Sequence, residues 1–441
     1  MTDLPVIAVL GASGLIGQSV AFDLMREGFP IAPVARRYTA AQTAAFSDNA
    51  IVCPIADISD VELRELLLDR RIDIVVNCLG VLQDSRRDRI ENVHCGFIQR
   101  LTKALNGLPR QALLVHLSVP GFEDEDSTEF SRTKRAGERL IAESSVPFVI
   151  LRPGFVIAPN AYGGSALFRA LAVLPFVLPQ HVSERPFAIT DVADIARTIS
   201  FVAHAWSAGQ RNWRETWDVM ARDPSTVEET VMAFRHRLGG PARRLRLPLW
   251  LLELSAKAGD LIARLGWRPP IRSTALRELR RGVVGNPASW IAATQIEPTP
   301  LRAILMRLPP TIQEQWFSRL YLAKAAILAA LVFFWLASGL IALIPAFAPA
   351  TAILEAHGFS TLQAMMITVV SSLIDISVGA AIASRRSCRV GLVAGIAISL
   401  FYMIGAAIVT PDLWIEPLGA LVKTVPAIVL MLVSLAILED R

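Results

Sequence analysis

The sequence predicts an α/β domain, a doubly wound parallel sheet with a small substrate or lid region, followed by an all-α bundle of four transmembrane helices. Three observations carry this. A Gly-rich turn, GASGLIG at Gly11 to Gly17, follows an apolar run directly; strand-like apolar segments alternate with helical ones over the first half of the chain; and the last third holds four long apolar spans.

The strand candidates come in order at Val6 to Leu10, Pro30 to Val34, Ala50 to Pro54, Ile72 to Asn77, Leu113 to Leu117 and Phe148 to Leu151. Short apolar runs separated by helical stretches fit strands buried on both faces, joined by crossovers. FSRTKRAGERLIAES reads as one amphipathic crossover helix. Right-handed crossovers place all strand C-terminal ends on one rim, where ligands bind. Beyond Gly154 the pattern loosens: TWDVM reads as a strand, STVEETVMAFRHRLG as a helix and PLWLLELSAKAGDLIARLGW as a second amphipathic helix. The expected division is 1–315 for the nucleotide-binding part, with 154–315 including the lid region, and 316–441 for the membrane part. The helix from Leu249 to Leu265, flanked by Arg246 and Arg272, fits either a position along lipid headgroups or an ordinary packed helix.

Bulk numbers support two regimes in one chain. With 53% hydrophobic residues over 441 positions the chain is too apolar for an ordinary water-soluble enzyme, and its charged residues, 19% of the whole, fall mostly in the first three hundred. The net charge of +5 comes from scattered basic residues, the densest run being Arg243 to Arg246 ahead of apolar PLWLLEL, so a membrane surface is the expected partner and nucleic acid is not. Cys53, Cys78, Cys95 and Cys388 form no Cys-x-x-Cys pair, so neither a metal site nor a disulfide framework is indicated; buried thiols in a reducing compartment are expected. The opening MTDLPVIAVLGASG lacks a basic leader region and reads as a first strand, placing the front domain in the cytoplasm.

The spans are expected at Leu320 to Ile344, Thr361 to Ala383, Val390 to Thr410 and Leu418 to Leu438, each near or above the roughly 20 residues a helix needs to cross hydrocarbon. The loop SRRSCR is basic, whereas Pro345 to Ser360 and Pro411 to Pro417 lack Lys and Arg. The asymmetry predicts an inner, cytoplasmic-membrane protein with both termini in the cytoplasm. Gly379, Ala380, Gly391, Gly395 and Gly405 are candidates for close helix packing. Two ionisable side chains fall within spans: Asp375, well inside the second, with Lys324 its expected partner by depth, and Lys423, about two turns into the fourth. Such groups either face a polar cavity or, for Lys423, reach back to the headgroups.

The cofactor reading begins at the first turn. Gly11, Gly14 and Gly17, with Ser13, Leu15 and Ile16 between them, occupy a strand-to-helix position where missing side chains let backbone amides approach a pyrophosphate at the positive end of the next helix. After the second strand, where a carboxylate would favour NAD, the chain has Arg36 and Arg37. Guanidinium groups suit a 2′-phosphate, which favours NADP(H) over NAD(H).

These motifs resemble the short-chain dehydrogenase/reductase superfamily, of the extended or atypical type with a Rossmann domain. Asp57 in CPIADISD matches that family's adenine-contacting Asp, NCLG at Asn77 to Gly80 its segment beside the cofactor ribose, LRPGFVIAP with Pro153 the stretch past the nicotinamide, and FAITDVADIA a strand-to-helix motif. The resemblance implies an NAD(P)-dependent oxidoreductase with Ser118 upstream and Lys134 in a Tyr-x-x-x-Lys pair, but the Tyr position holds Phe130, which cannot donate a proton. FSRTKRAGE is similar to the matching helix of the NADPH-binding accessory subunit of respiratory complex I and of relatives linked to ubiquinone biosynthesis. That implies Lys134 on the ribose hydroxyls, and either a lipophilic, quinone-like substrate or a non-catalytic place in a membrane redox complex. Ser131 and Tyr162 are the alternative proton donors; His94, His116 and Cys95 receive no role. The four spans, with PLGALVKTVPAIV, resemble the DoxX-like membrane domain.

Overall fold

The computed structural model describes residues 4–84, 89–309, 311–415, 419 and 421–438. Their contacts divide into two compact units, Met1–Asp260 with Pro269–Ser318, and Leu261–Arg268 with Arg319–Arg441.

The first unit is built on seven parallel strands: β1 (Ile7–Leu10), β2 (Ile31–Ala35), β3 (Ile51–Val52), β4 (Ile74–Asn77), β5 (Leu113–Leu117), β6 (Phe148–Pro153) and β7 (Arg214–Val219). They lie in the order β7-β6-β5-β4-β1-β2-β3. Alternation along each strand sends Ile7, Val9, Val76 and Val115 into one core and Ala8, Leu10, Val75 and Leu114 into another, so both faces are covered. Leu10 is level with Val34 of β2 and Asn77 of β4, and Asn77 with His116 of β5, which aligns the strand exits at one rim.

The six expected strands form, with Ala50 to Pro54 shortened to two residues, and TWDVM belongs to the seventh. Helix α1 (Leu15–Arg26) follows β1, and α2 (Glu129–Glu143) begins where Thr128 Oγ1 accepts the Ser131 amide. The Val227–Leu238 helix starts at a reciprocal Thr226/Glu229 cap. Helices α3 (Leu249–Ala263) and α4 (Ser273–Arg281) come after it.

The membrane-type helices are α5 (Ile312–Leu343), α6 (Phe347–Ala356), α7 (Thr361–Ala383), α8 (Cys388–Val409) and α9 (Thr424–Ala436). Among the described residues, α5, α7 and α8 are long and apolar enough to cross a membrane. The expected fourth span is a 13-residue helix instead, and Leu418 lies outside the described residues. Pro426 gives the reason: its ring clashes with the carbonyl four residues back, so the helix starts at Thr424 and Lys423 precedes it as N-cap rather than lying two turns inside. The apolar stretch expected as a loop after the first span forms α6, and His357 Nε2 meets Asp412 Oδ1 at 2.8 Å. All four cysteines are free; Cys388 is buried as expected, but Cys53, Cys78 and Cys95 are only partly covered. No metal-holding cluster occurs among the described residues.

Candidate functional site: the rim above the first strand

The chain leaves β1 through Gly11, whose φ of +82° is left-handed backbone that only Gly adopts freely. A Cβ at Gly17 would sit 2.3 Å from the Gly11 carbonyl oxygen, so the turn and the helix approach closer than any side chain permits. Gly14 caps α1 without a side-chain hydrogen bond, and the first α-helical bond here is Gln18 N–H to Gly14 O at 3.1 Å. By helix geometry the amides of Leu15, Ile16 and Gly17 have no carbonyl of their own turn to meet, and they form the positive end of α1. Ser13 keeps its carbonyl on Gln42 Nε2 at 3.4 Å. The turn stands where β1 has β2 on one side and β4 on the other, the point at which strand order reverses. The arrangement, a tight glycine turn feeding the positive end of a helix, suits a pyrophosphate.

Arg36 and Arg37 follow the last residue of β2 and are both exposed. Asp57, past β3, is exposed too, its amide closing a turn on Pro54 O at 2.8 Å.

The opposite wall is assembled around Lys134. Its ammonium, buried on α2, donates to Leu79 O at 3.0 Å and Leu117 O at 2.8 Å, bridging the exits of β4 and β5. Burial pushes its pKa down to about 8, against smaller opposing effects of Cys78 and Glu138. Gly80 lies beside it, where a Cβ would make ordinary contact with Nζ at 3.4 Å. Asn77 is buried, its Nδ2 on His116 Nδ1 at 3.1 Å and its Oδ1 accepting from Leu79 N–H at 3.1 Å. It therefore shapes the β4 exit from inside the protein. His94 does the same from the helix side: Nε2 accepts from Val81 N–H at 3.2 Å, and Nδ1 meets Thr133 Oγ1 at 2.9 Å. Burial, then the Lys134 charge, holds the His94 imidazole down to about 2, so it stays neutral.

Phe130 rests edge-on against His94, ring centroids 5.7 Å apart. Ser131 cannot replace the missing acid, because its Oγ is bound into the helix start on Thr128 Oγ1 at 2.9 Å and Thr128 O at 3.2 Å. Tyr162 immediately precedes the Gly163–Val173 helix. Ser118 is the contrasting case: its hydroxyl is buried at the β5 exit with no hydrogen-bond partner among the described residues, while its amide is fixed on Leu151 O at 2.8 Å. Pro153 ends β6, and a Cβ on the following Gly154 would strike Ala188 O at 2.4 Å.

The loop past Ser118 is locked by a charge network that the sequence does not single out. Arg135 pairs with Asp126 at 3.3 Å and Glu138 at 3.2 Å and donates to Pro120 O; Arg281 of α4 joins Asp126, and Arg152 joins Glu138. The only local sign of it is the Arg135/Glu138 spacing of one helix turn.

In the second unit, Asp375 is buried on α7 and accepts from Ser338 Oγ of α5 and from Tyr402 Oη of α8, both at 3.1 Å. Lys324 is not its partner. Ser338 lies 14 positions further along α5, about 21 Å at the helical rise, and Lys324 Nζ donates to Leu438 O at 3.1 Å. Trp335 Nε1 and the Ser372, Ser399 and Ser434 hydroxyls are also buried without hydrogen-bond partners among the described residues.

Comparison with known proteins agrees with this architecture. Residues 7–210 match the NAD dependent epimerase/dehydratase family, and residues 332–432 match the DoxX-like family. The chain thus joins a region of epimerase/dehydratase type, with a Rossmann-like sheet, to a DoxX-like membrane region. Among individual proteins, dTDP-6-deoxy-L-talose 4-dehydrogenase (NAD(P)(+)) of Kitasatospora kifunensis is 24% identical over 265 residues, 55% of this chain and 82% of that protein. The structure of UDP-glucuronic acid 4-epimerase from Bacillus cereus with UDP-glucuronic acid and NAD aligns with a TM-score of 0.53 at 16% identity, covering 72% of this chain and 100% of that one. The human epimerase family protein SDR39U1 with NADPH aligns with a TM-score of 0.50 at 17% identity, over 69% of this chain and 98% of that one.

Proposed function

We propose that the protein is a membrane-anchored, NADP(H)-binding atypical short-chain dehydrogenase/reductase that reduces a lipophilic, quinone-like substrate, with residues 1–315 carrying the nucleotide and 316–441 the anchor. The observation that carries this reading is the rim itself: a pinched Gly turn for the pyrophosphate, two arginines at the β2 exit, and at the β5 exit a buried Ser118 hydroxyl without a hydrogen-bond partner among the described residues. When bound, the dinucleotide supplies the hydride. Arg36 and Arg37 hold the 2′-phosphate, Lys134 the ribose hydroxyls, and Ser118 donates to the substrate oxygen. Phe130 then selects the acceptor. Hydride addition to an isolated carbonyl makes a strongly basic alkoxide that needs a positioned proton donor, whereas a quinone becomes a resonance-stabilised hydroquinone anion that takes its proton later from water. A rim without the Tyr acid suits the second. The basic 384–389 loop supports an inner-membrane protein with that loop in the cytoplasm, and Leu438 O, which accepts from Lys324 Nζ and from Arg385 of the same loop, supports the C-terminal end on that side although only three helices are long enough to cross.

A second reading, a non-catalytic nucleotide-binding scaffold in a membrane redox complex or a ubiquinone-biosynthesis assembly, is favoured by Phe130 and by the engagement of Ser131 in its cap. One assay separates them. The purified full chain in lipid should oxidise NADPH with a short-chain quinone; tight NADPH binding with no turnover selects the scaffold. In the same preparation Arg36→Ala/Arg37→Ala should weaken NADPH far more than NADH, and equal loss would refute phosphate recognition.

A further inference from the structure

Helix α3 is apolar on two opposite sides. Leu252, Ala256 and Gly259 are buried against its own domain, and the fit is close, since a Cβ on Gly259 would lie 2.0 Å from Ile271 O. The far side is where a water-facing helix should be polar. Here it presents Trp250, Leu254 and Leu261, 64%, 56% and 62% exposed, continued by Leu265 just past the helix end. Positions 250, 254, 261 and 265 fall on one stripe of a 3.6-residue helix, with Lys257 and Arg264 along its margin.

The acids of α3 point elsewhere. Glu253 pairs with Arg280 at 2.7 Å and Asp260 with Arg272 at 3.1 Å, so the negative charge is neutralised by the domain. The exposed basic residues Arg243 and Arg246, with exposed Leu245 between them and the helix ahead, add to the positive margin.

The last turn of the helix and the segment after it belong to the second unit. Arg385 N–H donates to Leu265 O at 3.1 Å, Trp267 Nε1 donates to Ala383 O at 2.7 Å, and the Arg385 guanidinium lies 5.3 Å from the Trp267 ring centroid. Ala383 is the last residue of α7, a membrane-length helix. The end of a spanning helix sits at the headgroups, a level suited to Trp and Arg.

We infer that α3 is a second, monotopic membrane contact: its Trp250–Leu254–Leu261–Leu265 stripe lies in the headgroup–acyl boundary of a leaflet containing anionic lipid, with Lys257, Arg264, Arg243 and Arg246 on the lipid phosphates. Helices of this kind bury their apolar face roughly 5–10 Å into that boundary. This contact does not depend on any catalytic assignment.

The test uses the full chain in nanodiscs whose lipids carry bromine high on the acyl chain, with wild type compared against Trp250→Phe. The difference emission, which isolates Trp250, should be blue-shifted and at least halved by bromolipid, and the quenching should be at least twofold greater with one-third phosphatidylglycerol than with phosphatidylcholine alone. Leu254→Glu/Leu261→Glu should abolish the quenching while NADPH affinity stays within twofold, which shows that the nucleotide domain remains folded. A water-like, unquenched Trp250 signal overturns the inference, as does equal quenching in the two lipids. Protection of Trp250 in detergent that rises with protein concentration would overturn it in favour of a second copy of the chain.

Discussion

At the scale of single residues, Lys134 is the side chain whose chemistry is most altered by its surroundings. Its ammonium is met by two neutral carbonyls, and its pKa falls from the ordinary value of 10.5 to about 8 because burial disfavours the charge. The direction of the pH dependence is set by which state holds the proton. Between about pH 8 and 10 the unfolded chain keeps it and the folded protein releases it, so unfolding free energy rises with pH across that window and is lost again as pH falls toward 8. The full difference corresponds to roughly 3 kcal/mol. Thermal melts of the nucleotide-free protein should therefore climb from pH 8 to 10, and Lys134→Met should flatten the climb. Parallel slopes in the two proteins would mean that the ammonium is not desolvated in the fold. A bound dinucleotide whose ribose hydroxyls met Nζ would remove part of the burial penalty, so the climb should also shrink with NADPH present.

At the scale of elements, legibility in the sequence depended on whether the signal was local. Six strands of the sheet, the glycine turn and α2 were legible because each is marked by its own residues: an apolar run, a missing side chain, an amphipathic repeat. The fourth membrane helix is shorter than its composition predicts, since apolar residues continue through Leu421 and Val422 while Pro426 limits where the helix can start. The side-chain support of the rim was not legible. His94 meets Thr133 39 positions away and Arg281 meets Asp126 155 positions away, and the Arg135/Glu138 spacing is the one local mark of the network.

The membrane glycines show the same divide. Gly379 packs so closely on α5 that a Cβ would lie 2.8 Å from Leu336 Cγ, and Gly395 would bring one to 2.7 Å from the Met431 sulfur, whereas Gly405 faces open space and Ala380 is exposed. Composition alone ranks them equally. Gly339 of α5, which the sequence does not single out, makes a close approach beside Asp375, 2.6 Å from a built Cβ to Ser372 O. Gly379→Leu should accordingly separate α5 from α7 and lower the detergent melting temperature of the membrane unit by several degrees, a loss typical of overpacking by about 1–3 kcal/mol. Gly405→Leu should leave it unchanged. Equal effects at the two positions would remove the close-packing account.

At the scale of the whole molecule, the nucleotide rim and a buried membrane carboxyl belong to separate compact units, and the proposed function asks of the second only that it anchor the first. The nucleotide rim has backbone amides and basic groups but no proton donor at the Phe130 position. The membrane unit has a buried carboxyl held by hydroxyls from two neighbouring helices, with indole and hydroxyl groups on the same helices that have no hydrogen-bond partner among the described residues. A carboxyl in hydrocarbon is retained only where it is hydrogen-bonded or exchanges a proton, and Asp375 already accepts from the hydroxyls of Ser338 and Tyr402. Asp375→Asn separates the two explanations, because the amide keeps the carboxyl's size and can meet both hydroxyls, accepting from one and donating to the other, but cannot exchange a proton. If the membrane unit takes part in delivering protons to a lipid-soluble substrate, this variant should keep its melting temperature and NADPH affinity and lose at least tenfold in quinone turnover. Unchanged turnover would make Asp375 a purely structural tie between α5, α7 and α8, and Asp375→Leu should then destabilise the unit where Asp375→Asn does not. A parallel fall in NADPH affinity would instead show that the substitution damages the fold of the nucleotide unit, and the proton-delivery reading would be lost with it.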